Sequence, residues 1–409
     1  MSTRVNTFSY RLKRKLREHL SHDRTGLSFL KYSIKWLFSK SCQKTVICRE
    51  EEQAVITAVD DRVQIAVNIT GGLGDYIVLG RVLKDLFNYV GNLEYHVFVP
   101  NTKYAHWVFK HIPGIKAVYP EIFLDKFKVN FDCVLYLNSF AFFDEQHINI
   151  KKVHKIAPLL LDVFAQVVRL RRSWNIFIDN HPVLDGAFAR QAVSLGFNRY
   201  NFIHHCLGIP NSGNLFDIQY SEEYAKVVSE QFKHYITINT GFDHQFVIGS
   251  RLATKCYPPE YWESLVKLIK DRCPELGIVQ VGGKNGPAIK GCDIHYENKL
   301  SLPESAGILK NSLLHIDIEG GLVHLCSALG TKSLVLFGPT SKRYFAYDEN
   351  INLQFGECSD CWWASECWMD HCPKGLNVPE CMYQLLPEKV CEHVVDFLKN
   401  QESGDDFQA

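Results

Sequence analysis

The stretch VQIAVNITGGLGD, at residues 63–75, joins a β-rich run to a glycine-rich turn that ends in Asp75. A helical spacing of apolar residues follows and continues to Val90. The stretch SLLHIDIEGGLVH, at residues 312–324, repeats this order of apolar run, glycine turn and helical pattern. Strand, glycine turn and helix in this order are typical of a Rossmann-like unit, so the chain contains two candidate units.

Strands and helices alternate outward from both stretches. Further strands are predicted at Tyr95–Pro100, Asp132–Asn138, Tyr235–Asn239, Gly277–Val281 and Ser333–Phe337. Helices are predicted from Pro258 to Arg272 and from Pro303 to Lys310, the second with capping-box spacing at Ser301 and Glu304. The alternation predicts an α/β fold with parallel sheets covered on both faces.

The length of 409 residues predicts two domains, because a single core of this size is unusual. The loop residues 210–214 mark a boundary between them. We predict a basic N-terminal extension at 1–60, an N-terminal Rossmann-like domain at 61–215, a C-terminal Rossmann-like domain at 216–385 with a cysteine-rich segment at 356–382, and a final helix at 386–400 that could cross back to the first domain.

Composition excludes several classes of protein. The formal net charge is zero, which argues against a nucleic-acid binder that uses the whole chain. No run of 18 or more apolar residues is present, and the N-terminus lacks the pattern of a secretory signal. We therefore expect a soluble, cytoplasmic protein, whose fourteen cysteines serve as thiols or metal ligands rather than disulfides.

The basic charge is concentrated at the N-terminus, where residues 1–44 hold eleven Lys and Arg against two acids. Residues 8–40 read as two basic amphipathic helices, with a leucine every four residues from Leu12 to Leu20. This pattern suits peripheral contact with an anionic membrane surface, on the inner face of the cytoplasmic membrane. It suits equally a helical extension that packs on the protein body or on a second subunit.

Both glycine turns are candidate anion sites, because glycines let the backbone approach a ligand and the following helix directs free N–H groups at it. In the first turn, Asp75 is a candidate base or a simple helix cap. The second turn, Glu319–His324, suits a diphosphate on the helix and a carboxylate on sugar hydroxyls. His324 is a candidate ligand contact or a packed core residue.

Two further segments contribute candidates. Lys255 stands just before a helix that starts at Pro258, where its ammonium could meet a phosphate, although surface lysines are common. Thr340 ends the run Phe337-Gly338-Pro339, at the carboxyl edge of a strand, where open α/β sheets bind ligands.

These motifs, together with Gly282-Gly283, resemble in their order those of glycosyltransferase family 9, the ADP-heptose:lipopolysaccharide and autotransporter heptosyltransferases, over roughly residues 63–400. The resemblance implies a GT-B fold with the active site between two domains, and inverting transfer of a sugar. It assigns Asp75 as general base and Lys255 to the phosphates of the donor. The implied donor-binding residues are Gly72, Gly74, Thr240, Gly241, Lys255, Gly282, Gly283, Glu319, Gly320, Gly321, His324 and Thr340.

The second turn departs from the family pattern, which has Asp and then Ser or Thr where this chain has Glu319 and Gly320. The sugar is therefore open, with a nucleotide-diphosphate heptose such as ADP-heptose, or a hexose, as donor and a bacterial surface glycan, glycolipid or protein as acceptor. No catalytic metal is expected, because Lys255 and the helix N-terminus at 321–323 can stabilise the departing diphosphate. Alternatives are a sugar-nucleotide epimerase, an NAD-dependent oxidoreductase and a non-catalytic nucleotide-sugar-binding protein.

The cysteine-rich segment predicts a structural metal site. Its spacing lets Cys358, Cys361, Cys372 and Cys381 close a four-thiolate site for zinc or iron, with Cys367 as an alternative to Cys372. We prefer Cys372 because the run Cys372–Gly375 resembles a turn of several family members, some of which carry iron. The alternative interpretation is that these cysteines are free thiols in a tryptophan-rich loop.

Overall fold

The computed structural model describes residues 61–241, 252–283, 286–297 and 299–405. The predicted extension at 1–60, with its basic helices at 8–40, lies outside the described residues. Among the residues that are described, no helix is both long and apolar enough to cross a bilayer.

The first half is built on a five-stranded sheet with the order β3-β2-β1-β4-β5. Its strands are β1 (Val63–Ile69), β2 (Leu93–Val99), β3 (Ile115–Pro120), β4 (Cys133–Leu137) and β5 (Ala141–Ile148). Its helices are α1 (Leu73–Val90), α2 (Thr102–Val108), α3 (Leu124–Phe127), α4 (Ile150–Ile156), α5 (Leu159–Asp179), α6 (Asp185–Ser194) and α7 (Phe202–Leu207). The predicted strands at Tyr95–Pro100 and Asp132–Asn138 correspond to β2 and β4.

The first sheet is parallel, as predicted, except for one edge strand. Strand β5 pairs antiparallel with β4, whereas the pairs of β1 with β2 and β4 are parallel. Only residues 138–140 separate β4 from β5, and a connection this short can only turn the chain back on itself. Within the turn, Asn138 Oδ1 accepts a hydrogen bond from Phe140 N at 2.8 Å.

The second half is built on a six-stranded sheet with the order β11-β10-β9-β6-β7-β8, whose recorded strand pairs are all parallel. Its strands are β6 (Tyr235–Ile238), β7 (Gly277–Gln280), β8 (Ile294–His295), β9 (His315–Ile318), β10 (Ser333–Leu336) and β11 (Ile351–Leu353). Its helices are α8 (Glu222–Val227), α9 (Pro259–Arg272), α10 (Leu302–Lys310), α11 (Gly321–Leu329), α12 (Lys342–Phe345), α13 (Glu380–Tyr383) and α14 (Pro387–Asp405). The predicted capping box of α10 is present, with Ser301 N donating to Glu304 Oε2 at 2.6 Å.

The strand orders place the glycine turns where ligands bind in such folds. In the first sheet the order reverses between β1 and β4, and in the second sheet between β6 and β9. A reversal of strand order opens a crevice outside the carboxyl ends of the two strands. The turn at 71–75 follows β1 and the turn at 319–321 follows β9, so each borders a crevice.

Apolar packing connects the two halves. One buried cluster contains Ile65 and Leu79 from the first half together with Val279 and Leu325 from the second. A separate cluster lies under the second sheet and includes Val390 and Val394 of α14. The predicted α/β fold with two Rossmann-like halves is confirmed.

Candidate active site

Two helices meet at their N-termini between the halves. Helix α1 begins after Gly72 and helix α11 begins after Gly320. A Cβ placed on Gly321 would lie 3.6 Å from the backbone N of Gly74, and a Cβ on Gly74 would lie only 2.3 Å from Cδ2 of His324. Only glycine at position 74 allows this approach. The partial positive charges of two helix ends therefore converge on one place.

Asp75 lies in the first turn of α1 with its side chain 41% exposed. Its Oδ2 accepts a hydrogen bond from Gly72 N at 3.0 Å, which is the capping interaction that the sequence left as one alternative. Gly71 has a φ of 113°, in the region that favours glycine, and a Cβ there would lie 2.1 Å from Oδ2. The turn therefore fixes the carboxylate while leaving a large part of it accessible.

Arg199 holds the second oxygen of that carboxylate. Its Nη2 donates to Asp75 Oδ1 at 2.9 Å, and its Nη1 donates to the carbonyl oxygen of Asn138 at 3.2 Å. Burial lowers the pKa of Arg199, but the charge of Asp75 and the hydrogen bond to it raise that pKa overall. A permanent cation therefore keeps Asp75 as an oriented carboxylate at the β1–β4 crevice.

Lys255 reaches the second turn. Its Nζ donates to the carbonyl oxygen of Glu319 at 3.2 Å, directly before the first N–H groups of α11. Burial raises the pKa of Glu319, while the positive charge of Lys255 acts in the opposite direction. The ammonium and the end of α11 thus form one region of positive potential.

His324 is buried behind this region. Its Nδ1 is 2.9 Å from the hydroxyl of Tyr347, and its Nε2 is 3.9 Å from Glu319 Oε1. Burial, followed by the charge of Arg81, lowers the pKa of His324 to about 3. The ring is therefore neutral at physiological pH, and it packs against the first turn of α1.

The other predicted donor-binding residues lie along the carboxyl edge of the second sheet. Gly241 is next to the end of β9, since a Cβ there would lie 2.1 Å from Cγ1 of Ile318. Thr240 is buried at the end of β6, and Gly282 follows β7 beside the Asn239 side chain. Among the described residues, none lies within 4 Å of a Cβ placed on Gly283, and Thr340 is buried after β10.

The cysteine-rich segment at 356–382 packs around this edge. Trp362 N donates to the carbonyl oxygen of Pro339 at 2.8 Å. Thr254, the neighbour of Lys255, donates from N to Met369 O at 2.8 Å and from Oγ1 to Trp368 O at 2.7 Å. The segment also meets the first half, because a Cβ on Gly186 of α6 would lie 2.0 Å from the carbonyl oxygen of Trp362.

The four predicted metal ligands act on one another electrostatically. Burial, then Cys372 and Cys358, raise the pKa of Cys361 to about 11. Burial, then Cys358, Cys361 and Cys372, raise the pKa of Cys381 to about 12. All twelve described cysteines are free. Within the part of the chain that the structure describes, however, no three His, Cys, Asp or Glu side chains are arranged to hold a metal ion.

Comparison with known proteins identifies the family that the sequence resembles. The family model described as glycosyltransferase family 9 (heptosyltransferase) matches residues 198–361. The resemblance to glycosyltransferase family 9 is confirmed. With it, the prediction that the chain is a glycosyltransferase is confirmed. The matched residues include Arg199, Lys255, Glu319 and His324, whereas Asp75 precedes them.

Solved structures show the same fold. The glycosyltransferase of family 9 from Veillonella parvula DSM 2008 superposes with a TM-score of 0.53 and 15% identity over 84% of this chain and 99% of that chain. The dodecameric iron-containing heptosyltransferase TibC in complex with ADP-D-β-D-heptose gives 0.54 and 14% over 84% and 78%. TibC from enterotoxigenic E. coli H10407 gives 0.50 and 12% over the same shares, 84% and 78%. Among curated proteins, none matches the sequence.

The structure brings several of the predicted residues together and places beside them Arg199, which the sequence analysis missed. Asp75, Lys255, Glu319 and His324 surround the meeting point of α1 and α11. Arg199 was missed because it lies in a loop without a recognisable motif. The one signal available was Asn138 at the carboxyl end of β4, which marks the crevice that Arg199 borders.

The buried, neutral His324 predicts acid sensitivity. Its native pKa of about 3 lies below the ordinary value of 6.5, so between these values the unfolded chain binds a proton that the native protein does not. Stability is therefore lost as pH falls through this window, by at most about 1.4 kcal/mol per pH unit from this group. In His324→Gln, the fall in melting temperature from pH 7 to pH 5 should be smaller than in the wild type. Equal falls in the two proteins would contradict this account of His324.

Proposed function

We propose that the protein is an inverting glycosyltransferase that moves a sugar from a nucleotide-diphosphate sugar to an acceptor hydroxyl. The observation that carries the proposal is the convergence of a fixed carboxylate, Asp75, with the cationic region formed by Lys255 and the N-terminus of α11. Direct displacement at an anomeric carbon needs both kinds of group on opposite sides of the reacting atom.

The donor would occupy the β6–β9 crevice of the second half. Its diphosphate would lie on the first N–H groups of α11, with Lys255 beside it, because both carry positive potential. Thr240, Gly241, Gly282, Gly283 and Thr340 line the same sheet edge and would hold the nucleotide. Glu319 is close enough to accept hydrogen bonds from sugar or ribose hydroxyls, the role that a carboxylate takes in such sites.

The acceptor would enter from the β1–β4 crevice of the first half. The acceptor hydroxyl transfers its proton to Asp75, its oxygen forms a bond to the anomeric carbon, and the bond from that carbon to the diphosphate breaks. The electron pair leaves with the nucleoside diphosphate, whose added charge Lys255 and α11 stabilise. Attack opposite the leaving group inverts the anomeric configuration. Arg199 keeps the carboxylate oriented and, as a permanent cation that can only donate hydrogen bonds, does not serve as the base.

The donor we propose is a nucleotide-diphosphate heptose such as ADP-heptose. This rests on the family match and on the fold shared with TibC, whose structure holds ADP-D-β-D-heptose. A glycan, a glycolipid or a protein would supply the acceptor hydroxyl. The basic residues 8–40 favour a lipid-linked acceptor if they contact an anionic membrane surface.

Donor binding is tested by a thermal-shift panel of ADP-, GDP-, UDP- and dTDP-sugars and NAD. One nucleotide-diphosphate family should stabilise the protein, by about 2.7 kcal/mol at a hundred times its dissociation constant. Lys255→Ala should weaken that binding, since the ammonium contributes to phosphate binding. Lys267→Ala, on the exposed face of α9, is the matched control and should bind as the wild type does. Stabilisation by NAD alone would favour an oxidoreductase instead.

The role of Asp75 is tested with Asp75→Asn and the donor identified by the panel. Loss of the base should lower kcat by about a hundredfold or more, whereas donor affinity should change little. Asparagine can still accept the hydrogen bond from Gly72 N, so the cap of α1 should survive. Activity near the wild-type level would refute the assignment, and donor turnover without any acceptor would indicate an epimerase.

We also propose that the cysteine-rich segment holds zinc or iron. Four thiols that act on one another electrostatically suit these metals, because each thiolate that forms raises the cost of the next unless a cation is present. Cys358, Cys361, Cys372 and Cys381 would supply the ligands, in an arrangement that differs from the one the described residues have here. The ion would stabilise a segment that supports Lys255 through Thr254, and we assign it no step in the reaction.

The metal proposal predicts a defined stoichiometry. Elemental analysis of purified protein should find one zinc or iron per chain, and Cys372→Ser should lose most of it together with thermal stability. Cys367→Ser is the matched control, since Cys367 lies in the same loop but not among the four interacting thiols. Equal metal loss in both variants, or metal-free protein with full stability, would count against the site.

A further inference from the structure

Arg81 is a buried cation in the contact between the two halves. It lies two turns into α1 with 3% exposure, and its guanidinium carbon is 5.4 Å from the centroid of the Tyr347 ring. Nη1 donates to the Tyr347 hydroxyl at 2.9 Å. Among the described residues, Nε and Nη2 of Arg81 have no hydrogen-bond partner. A charge in this environment is costly, which points to a role other than packing.

Tyr347 links this cation to His324. Its hydroxyl lies 2.9 Å from Arg81 Nη1 and 2.9 Å from His324 Nδ1. A guanidinium can only donate, so the hydroxyl accepts from Arg81 and its own hydrogen is free to point at Nδ1. Ser327 is also within hydrogen-bond reach of this hydroxyl. When the hydroxyl donates to Nδ1 instead, Nδ1 is the unprotonated nitrogen, and the one proton of the neutral ring lies on Nε2.

The surroundings of Nε2 favour the same tautomer. Nε2 lies 3.9 Å from Glu319 Oε1, and a Cβ on Gly74 would lie 3.0 Å from it. This nitrogen therefore faces a carboxylate and the first turn of α1. The charged groups that act on the ring besides Glu319 are Arg81, Asp75, Arg199 and Lys255. A proton on Nε2 is attracted by Glu319, whereas a lone pair there would be repelled.

We propose that Arg81 and Tyr347 are positioning residues that hold His324 as its Nε2–H tautomer, with that N–H fixed towards the point where α1 and α11 meet. The use of the N–H rests on the proposed transferase function: it would be a neutral donor, already oriented, for Glu319 or for the donor diphosphate. A neutral ring keeps this orientation because Tyr347 occupies the opposite nitrogen.

The tautomer can be measured directly in the full chain. Protein labelled with nitrogen-15 histidine is examined by long-range proton–nitrogen NMR, and the His324 signals are assigned by their loss in His324→Gln. The wild type should show a protonated Nε2 and an unprotonated Nδ1 down to pH 5. Tyr347→Phe removes the hydroxyl and should give a mixture of tautomers.

Two further variants separate positioning from packing. Tyr200→Phe is the matched control, because it keeps the ring that stacks on Tyr347 with centroids 3.9 Å apart and lies edge-on to His324. The hydroxyl that it removes donates to the carbonyl oxygen of Phe345 and also acts on Tyr347, but not on a nitrogen of His324. This variant should keep the wild-type His324 spectrum.

Arg81→Met removes the charge that, after burial, lowers the pKa of His324, so the ring should begin to titrate at a higher pH. With a confirmed donor, Tyr347→Phe should lower kcat by about tenfold at most.

A protonated Nδ1 in the wild type, with the Tyr347 hydroxyl turned to Ser327, would overturn the proposal. So would a His324 spectrum that Tyr347→Phe and Arg81→Met leave unchanged. These spectra are recorded without substrate, so they stand even if the protein transfers no sugar. Conversely, sugar transfer by a protein whose His324 carries its proton on Nδ1 would refute the positioning role of Arg81 and Tyr347 and leave the proposed function intact.

Discussion

The close approach of two helix ends is the constraint on which the candidate site depends. Helices α1 and α11 point the N–H groups of their first turns at the same place, and Gly74 permits it because any side chain there would overlap the ring of His324. Two like partial charges this close disfavour each other unless anions lie between them. Asp75 and Glu319 are two such anions in the protein itself. A bound diphosphate would be a third, so the feature that packs the halves together would also favour binding of an anion.

Much of this arrangement could be predicted from the sequence. Strand–glycine–helix stretches identify β1 with α1 and β9 with α11, because the backbone requirement of such turns is local. Asp75 and Lys255 were predicted from their positions at a glycine turn and before a helix, together with the family resemblance. The strand order that creates the crevices could not be predicted, because it depends on pairing between distant strands. Arg199 and Tyr347 could not, since nothing near them in the chain shows that they face Asp75 and His324. Antiparallel β5 was missed because its polar, partly exposed residues give a weak strand pattern.

The cysteine-rich segment joins parts of the molecule that carry different tasks. It hydrogen bonds to Thr254, which is next to Lys255, and to Pro339, which follows β10. Through Trp362 it also contacts Gly186 of the first half. A loop with little regular structure would hold such contacts poorly by itself, because ordering its backbone is entropically costly. An interaction that orders the four thiols would therefore also order Thr254 and, through it, Lys255.

The apolar cluster shared by the two sheets limits how the molecule can move and unfold. Rossmann-like halves joined only by a linker would open by a free hinge and melt separately. Here Leu325 on α11 is buried in the same cluster as Leu79 on α1, so separation of the halves would bring both to water. The motion left to such a contact is shear, a sliding of packed helices by small side-chain steps. Substrate entry would then depend on loops beside the two crevices. The apolar cluster that the two halves share would stay intact during this motion, and the halves would unfold together.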